Sequence, residues 1–207
     1  MTARIVLVRH GNTFAPGESP RRIGARTDLP LVASGVAQAE ALGRWFAARD
    51  IRFTRALTGP LQRAQQTCDL ILGHSPPPPS IKAAEWLNEV DHGPDENRDE
   101  TAVLARIGEE ALARWDQCGT PPPGWIANAA ARLDAWRGFV ATLPPGDTLL
   151  VTSNGAARFA LLAFPALAAG IPGSLKLRTG AYAELKRDDQ GSLTLVSWDV
   201  RPDPDTR

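Results

Sequence analysis

Ile5-Val6-Leu7-Val8-Arg9-His10-Gly11-Asn12-Thr13 decides how the chain is read, because a run of four aliphatics ends abruptly in an arginine, a histidine and a glycine. Four β-favouring aliphatics in succession suit a parallel strand covered on both faces. In open α/β sheets ligands sit beyond the carboxyl ends of such strands, and Arg9 and His10 fall at that edge. A neutral imidazole can attack phosphorus, and a forked, permanently charged guanidinium can hold two oxygens of one phosphoryl group. Gly11 is expected to let the backbone turn sharply and approach a ligand closely.

Outward from this strand the pattern alternates. Enrichment in apolar and β-branched residues predicts strands at 4–9, 54–58, 81–86, 148–153, 180–186 and 192–199. Apolar positions at helical spacing predict helices over 34–50, 60–72 and 155–168, with two more over 100–116 and 128–143. Such alternation implies a mainly parallel sheet with helices on both faces. Pro76 to Pro79 and Pro121 to Gly124 read as stiff connectors within one domain rather than as ligands for a proline-binding module.

Composition narrows the function. At 207 residues and 43% hydrophobic content, one globular domain with a substantial core is expected. Lys plus Arg and Asp plus Glu balance at 23 each, against a nucleic-acid or membrane-surface partner held by global positive charge. Any anion site must then be local, built from Arg9, Arg63 and one of Arg21, Arg22 or Arg26. Cys68 and Cys118 have no CxxC or Cys/His spacing, so neither zinc nor a disulfide framework is indicated. A strand beginning at residue 4 or 5 leaves no room for a secretory leader, and cytoplasmic residence is the expectation. The tryptophans read as core, with Trp86 and Trp125 the nearest to functional segments, and the charged run from Asp91 to Glu100 reads as a solvated loop and helix start.

Arg9-His10-Gly11-Asn12-Thr13 resembles the Arg-His-Gly-x-Thr signature of the histidine phosphatase superfamily, the phosphoglycerate-mutase-like proteins. Four further segments resemble that family in its order. Gly24-Ala25-Arg26-Thr27-Asp28-Leu29-Pro30-Leu31, continued by Ser34-Gly35-Val36-Ala37-Gln38-Ala39, is similar to its Gly-Arg-x-Asp-x-Pro-Leu segment, with Ala25 inserted. Thr58 to Thr67 carries Leu61-Gln62-Arg63-Ala64, and Leu87-Asn88-Glu89-Val90-Asp91-His92-Gly93 resembles Leu-x-Glu-x-x-x-Gly. Leu149 to Phe159 resembles the strand, Ser-His-Gly and helix that supply the family's second catalytic histidine.

The resemblance implies a three-layer α/β/α fold with a mainly parallel central sheet and a lid inserted at about residues 91–146. It implies that His10 is the nucleophile and that Glu89 moves the proton of the leaving oxygen, with Glu85, Asp91, Asp95 and Glu96 as rival acids nearby. Glu89 could serve as that acid only with a raised pKa. Arg9, Arg63, Asn154 and Gly11 would bind phosphate, with Thr13, Arg26 and His92 as accessory candidates. His92 reads first as a turn or surface residue. Neither metal nor cofactor is implied, and the partner is a small phosphorylated substrate or inorganic phosphate.

One departure matters. Asn154 stands where the family has its second histidine, and the chain contains only His10, His74 and His92. An amide offers two donors to phosphoryl oxygens but no positive charge. The backbone N–H groups of Gly155 and Ala156, at an expected helix start, are candidates to add neutral anion binding. Three functions follow in order: a phosphatase with an altered pocket, a phospho-ligand-binding protein without turnover, and a phosphoglycerate mutase. The tail from Arg201 to Arg207, short and polar, weighs against the mutase.

Overall fold

The computed structural model describes residues 2–169, 171 and 174–202; the end of the tail considered above therefore lies outside the described residues. Its strands are β1 (Ala3–Arg9), β2 (Arg21–Arg22), β3 (Phe53–Thr58), β4 (Ile81–Ala83), β5 (Arg98–Asp99), β6 (Gly146–Thr152), β7 (Tyr182–Arg187) and β8 (Leu193–Val200). Six of them form a sheet in the order β4-β3-β6-β1-β7-β8, while β2 and β5 form a separate two-stranded ribbon. Within the large sheet only β7 runs against the other strands.

Ile5, Val6, Leu7 and Val8 are fully buried, as a central strand requires. Their alternation feeds two cores: Ile5 and Leu7 enter one, Val6 and Val8 the other. Helices α1 (Ala33–Ala47) and α2 (Gln62–Leu72) cover the second core with Leu42, Phe46, Cys68 and Ile71. The first lies beneath α3 (Glu100–Cys118), α4 (Ala129–Ala141), α5 (Asn154–Ala157), α6 (Phe159–Leu162) and α7 (Pro165–Ala168), filled by Trp115, Trp136, Phe139 and Phe159. The result is the expected mainly parallel α/β/α arrangement.

Several boundaries differ from the expectation. The strand expected over 81–86 ends at Ala83 and gives way to a 3-10 turn at Glu85–Leu87, which turns the chain toward Glu89. The helix expected over 155–168 is three short pieces, the last starting at Pro165, whose ring removes a backbone donor. Gly108, at φ 78°, kinks α3. The ribbon of β2 and β5 is too short to leave a periodic signal. Cys68 is buried and Cys118 exposed, both free, and burial pushes the Cys68 thiol up to about 12. Among the described residues no helix is long and apolar enough to cross a membrane.

The parallel register of β1 with β6 sets Arg9 opposite Thr152. The His10 N–H then donates to the Thr152 carbonyl at 3.0 Å, so the chain leaves the sheet at His10 beside Ser153 and Asn154. Position 10 and position 154 are neighbours because of strand pairing, although they are far apart in the sequence.

Candidate active site

At this carboxyl edge lies a cavity of about 400 Å³, bordered among others by Arg9, His10, Thr13, Glu89, His92 and Asn154. A larger groove of about 860 Å³ runs along β8, but it gathers no histidine or arginine. The smaller cavity is therefore the candidate site.

His10 is 4% exposed. Its Nδ1 donates to the Gly11 carbonyl at 2.8 Å, and its Nε2 accepts from Arg63 Nε at 3.2 Å. A carbonyl can only accept and a guanidinium can only donate, so both bonds demand the tautomer with Nε2 unprotonated. Burial, then Arg63 and Arg9, holds the imidazole well below its usual pKa. The consequence is a neutral ring with a directed lone pair on Nε2.

Two guanidiniums flank it. Arg9 gives Nη1 to the Leu177 carbonyl at 2.8 Å and leaves Nε buried without a partner, while burial lowers its pKa to about 10 against the pull of Glu89. Arg63 is fully buried behind His10 rather than on the cavity wall. It donates to the carbonyls of Thr27 and Gly24 at 2.6 and 3.2 Å, which fixes its head group at the nucleophile. Its own pKa is lowered, chiefly by burial. Glu89 is the main opposing charge on both, so one carboxylate faces two guanidiniums, and Arg9 Nε is left as an unpaired donor.

Glu89 sits across the cavity. Its Oε1 accepts from the Val90 N–H at 2.8 Å and its Oε2 from the Gly155 N–H at 3.1 Å. Burial alone would raise its pKa, but His92, these two N–H groups and Arg63 outweigh it and hold the carboxyl below the usual range. The raised pKa required of a resting acid is thus not found; Glu89 is a carboxylate in the free protein. Gly155 is likewise corrected: its N–H serves Glu89 rather than a bound anion. A Cβ there would lie 2.1 Å from Glu89 Oε1, which is why the position is glycine.

Asn154 lies on the wall, and its Oδ1 accepts from the Leu177 N–H at 2.9 Å. His92, read first as a turn or surface residue, is instead 4% exposed and borders the same cavity. Thr13 also borders it. Arg26 does not: its exposed head group pairs with Asp91 at 3.0 Å. Gly11 is not on the wall either, and a Cβ on it would fall 2.3 Å from the Gly35 carbonyl oxygen, so its smallness lets two backbones touch.

Arg21, Arg22 and Trp115 border the cavity as well. The adjacent arginines were legible as candidates; Trp115 was not, and of the tryptophans nearer in sequence to the functional segments Trp86 packs on Trp136 while Trp125 sits behind the wall against His92 and Trp115. Nor is the run from Asp91 to Glu100 wholly solvated. Asp95 is buried against Arg106 and Trp125, and Glu96 accepts from Gly24 N–H and Thr27 Oγ1. No group of three or more potential metal ligands occurs among the described residues.

A neutral buried histidine stands between two arginines, at the carboxyl edge of a mainly parallel sheet and on the same cavity as a carboxylate. The chain belongs to the histidine phosphatase superfamily (branch 1), whose family model matches residues 5–200. It is 31% identical over 172 residues to a 2,3-bisphosphoglycerate-dependent phosphoglycerate mutase of Brucella anthropi, covering 78% of this chain and 81% of the relative. A mutase of the same description from a Methylobacterium strain is 33% identical over 169 residues, covering 75% and 76%. Among solved structures, the α-ribazole phosphatase from Shigella flexneri superposes with a TM-score of 0.72 at 24% identity over 96% of both chains. A mycobacterial glucosyl-3-phosphoglycerate phosphatase gives 0.73 at 19% identity over 97% and 100%. At these identities the structural likeness speaks for the fold.

Proposed function

We propose that the protein is a phosphatase that hydrolyses a phosphomonoester through a phosphohistidine at His10. The observation that carries this reading is the pair of bonds that fixes His10 neutral with Nε2 unprotonated, its lone pair held by Arg63 Nε–H until attack on phosphorus displaces that bond. Nε2 forms a bond to phosphorus as the ester P–O bond breaks, and the leaving oxygen takes a proton from the Glu89 carboxyl. Glu89 gains that proton on binding, because the arriving dianion adds negative charge beside an already buried carboxylate. Water then attacks phosphorus, Glu89 takes back a proton, the P–N bond breaks and inorganic phosphate leaves. Arg9 and the Asn154 amide hold phosphoryl oxygens from the cavity wall, while Arg63, packed behind His10, orients the ring and adds positive charge. No step calls for a metal or a cofactor.

Two observations favour other readings. The curated relatives at 31 and 33% identity are named as mutases, so phosphoryl return to a second oxygen of the substrate is the main rival. Asn154 favours a binding protein without turnover, since a neutral donor stabilises the transferring group less than a charged one. A panel of phosphomonoesters separates the three. A phosphatase releases inorganic phosphate, a mutase isomerises phosphoglycerate, and a binding protein does neither. Transient acid-labile label on the wild type that His10→Ala abolishes together with turnover supports the proposal; equal labelling of both proteins ends it.

A further inference from the structure

The imidazole missing at position 154 has a counterpart elsewhere on the cavity wall. His92 is held edge-on against Trp125, with ring centroids 4.3 Å apart and planes at 67°, and it borders the cavity together with His10, Glu89 and Asn154. Its Nδ1 is buried and has no hydrogen-bond partner. It lies 3.8 Å from Glu96 Oε2, beyond hydrogen-bond reach, and a Cβ on Gly24 would sit 2.6 Å from it. A buried, unpartnered ring nitrogen is costly in a neutral structure, and it requires an explanation beyond packing.

We propose that His92 is a phosphoryl-binding imidazole of this site: when a tetrahedral dianion fills the cavity, the ring takes a proton from solvent. Nε2–H then donates to the anion, while Nδ1–H faces the Glu96 carboxylate. The inference rests on the reading of the cavity as a phosphoryl site. It explains how a chain with Asn154 keeps a chargeable donor beside the transferring group, delivered from the Glu89 loop instead of from the end of β6.

The surroundings fit a ring that is neutral when the site is empty and cationic when it is filled. Burial, aided by Arg22, holds its pKa at about 4, against Glu89, Glu96 and Asp91, which all pull upward. Arg22 reaches His92 from β2 but is paired with Glu100, and Asp91 is paired with Arg26, so once Glu89 has taken up its proton Glu96 remains as the carboxylate facing the ring. Glu96 is fixed by donors from Gly24, Thr27 and the His92 backbone, which leaves it aimed at Nδ1 without moving. An arriving dianion adds two negative charges on the cavity side, and the balance tips to the imidazolium.

Sulfate is the probe, because it is a tetrahedral dianion that does not itself titrate near neutrality. The three histidines are resolved by long-range ¹H–¹⁵N correlation at pH 6.5 in the wild type, assigned with His74→Gln and His92→Gln, with His74 as an internal reference. The expected result is that saturating sulfate shifts His10 and the Asn154 amide and converts His92 from a neutral ring to an imidazolium. In His92→Gln, sulfate affinity at pH 6 should fall about 10-fold to 100-fold, the value of a charged over a lost donor, and Asn154→His should restore it. If His10 and Asn154 respond while His92 stays neutral, the inference fails and the phosphoryl-site reading stands. If none of the three responds, the phosphoryl-site reading fails and the inference with it.

Discussion

Asn154 accepts the backbone N–H of Leu177 through Oδ1 at 2.9 Å, and that bond orients its amide. A backbone N–H can only donate, so oxygen must face Leu177 and the NH2 must lie on the other side. The same Leu177 supplies the carbonyl that takes Arg9 Nη1 at 2.8 Å. One residue of the connection into β7 therefore positions two of the proposed phosphate ligands at once.

Acid should destabilise the free protein in a way traceable to two histidines. His10 and His92 both have folded pKa values below their usual one, so below about pH 6.5 the unfolded chain binds more protons and stability falls. Glu89, lowered as well, adds its loss as pH falls below the ordinary carboxylate range. Urea unfolding should show lower stability at pH 5 than at pH 7.5, with about 2 kcal/mol of the difference from His92 at 1.36 kcal/mol per pKa unit. His92→Gln should remove about that share, and His10→Gln should reduce the difference as well. A wild type equally stable at both values would contradict these burials.

Gly11 is a packing requirement, and its replacement should cost stability before it costs chemistry. A Cβ at Gly11 would meet the Gly35 carbonyl oxygen at 2.3 Å, and one at Gly35 would meet the Asn12 carbonyl oxygen at 2.2 Å. Backbone cannot yield as a flexible side chain does, so Gly11→Ala should destabilise by about 1–3 kcal/mol, the usual penalty of overpacking. Thermal unfolding measures it. A variant as stable as the wild type would show that α1 and the His10 loop are free to separate.

The difference between Gly11 as expected and as found shows what sequence carries here. Local patterns are legible: Ile5 to Val8 announce a two-sided strand, and the motifs around His10, Arg63 and Glu89 name the residues that gather. What is not legible is direction. Nothing in Arg63 or Arg26 as letters says that one turns inward behind His10 while the other lies outside on Asp91. Trp115 reaches the cavity from the last turn of a kinked helix, and His92 turns in because Glu96 and Trp125 hold its loop. These placements depend on long-range contacts that leave no periodic trace, and on a two-residue ribbon too short to have one.

Chelation should leave turnover unchanged. The proposed positive charge comes from Arg9 and Arg63, and arginines can stabilise a transferring phosphoryl group where other enzymes use a divalent ion. Rates measured with and without excess chelator are the check. Activity lost in chelator and restored by a divalent ion would show that a metal supplies charge these arginines do not.

Substitutions at Asn154 separate turnover from binding most sharply, because the Leu177 bond lets one variant keep the geometry and change only the chemistry. Asn154→Asp retains an oxygen for the Leu177 N–H, but it replaces the NH2 donors by a second carboxylate oxygen facing the phosphoryl group. It should therefore lose more activity than Asn154→Ala, which removes the donors without adding charge. For Asn154→Ala a fall of up to about 100-fold to 1,000-fold in kcat is expected, the effect of removing one transition-state donor. Asn154→His adds a ring that can become cationic, so it should raise turnover and add an ionisation to the pH profile. In a binding protein all three variants would change phosphate affinity while turnover stayed undetectable. Equal rates and equal phosphate affinities for wild type, Asn154→Ala and Asn154→Asp would remove Asn154 from the site, leaving its bond to Leu177 as a turn contact at the end of β6.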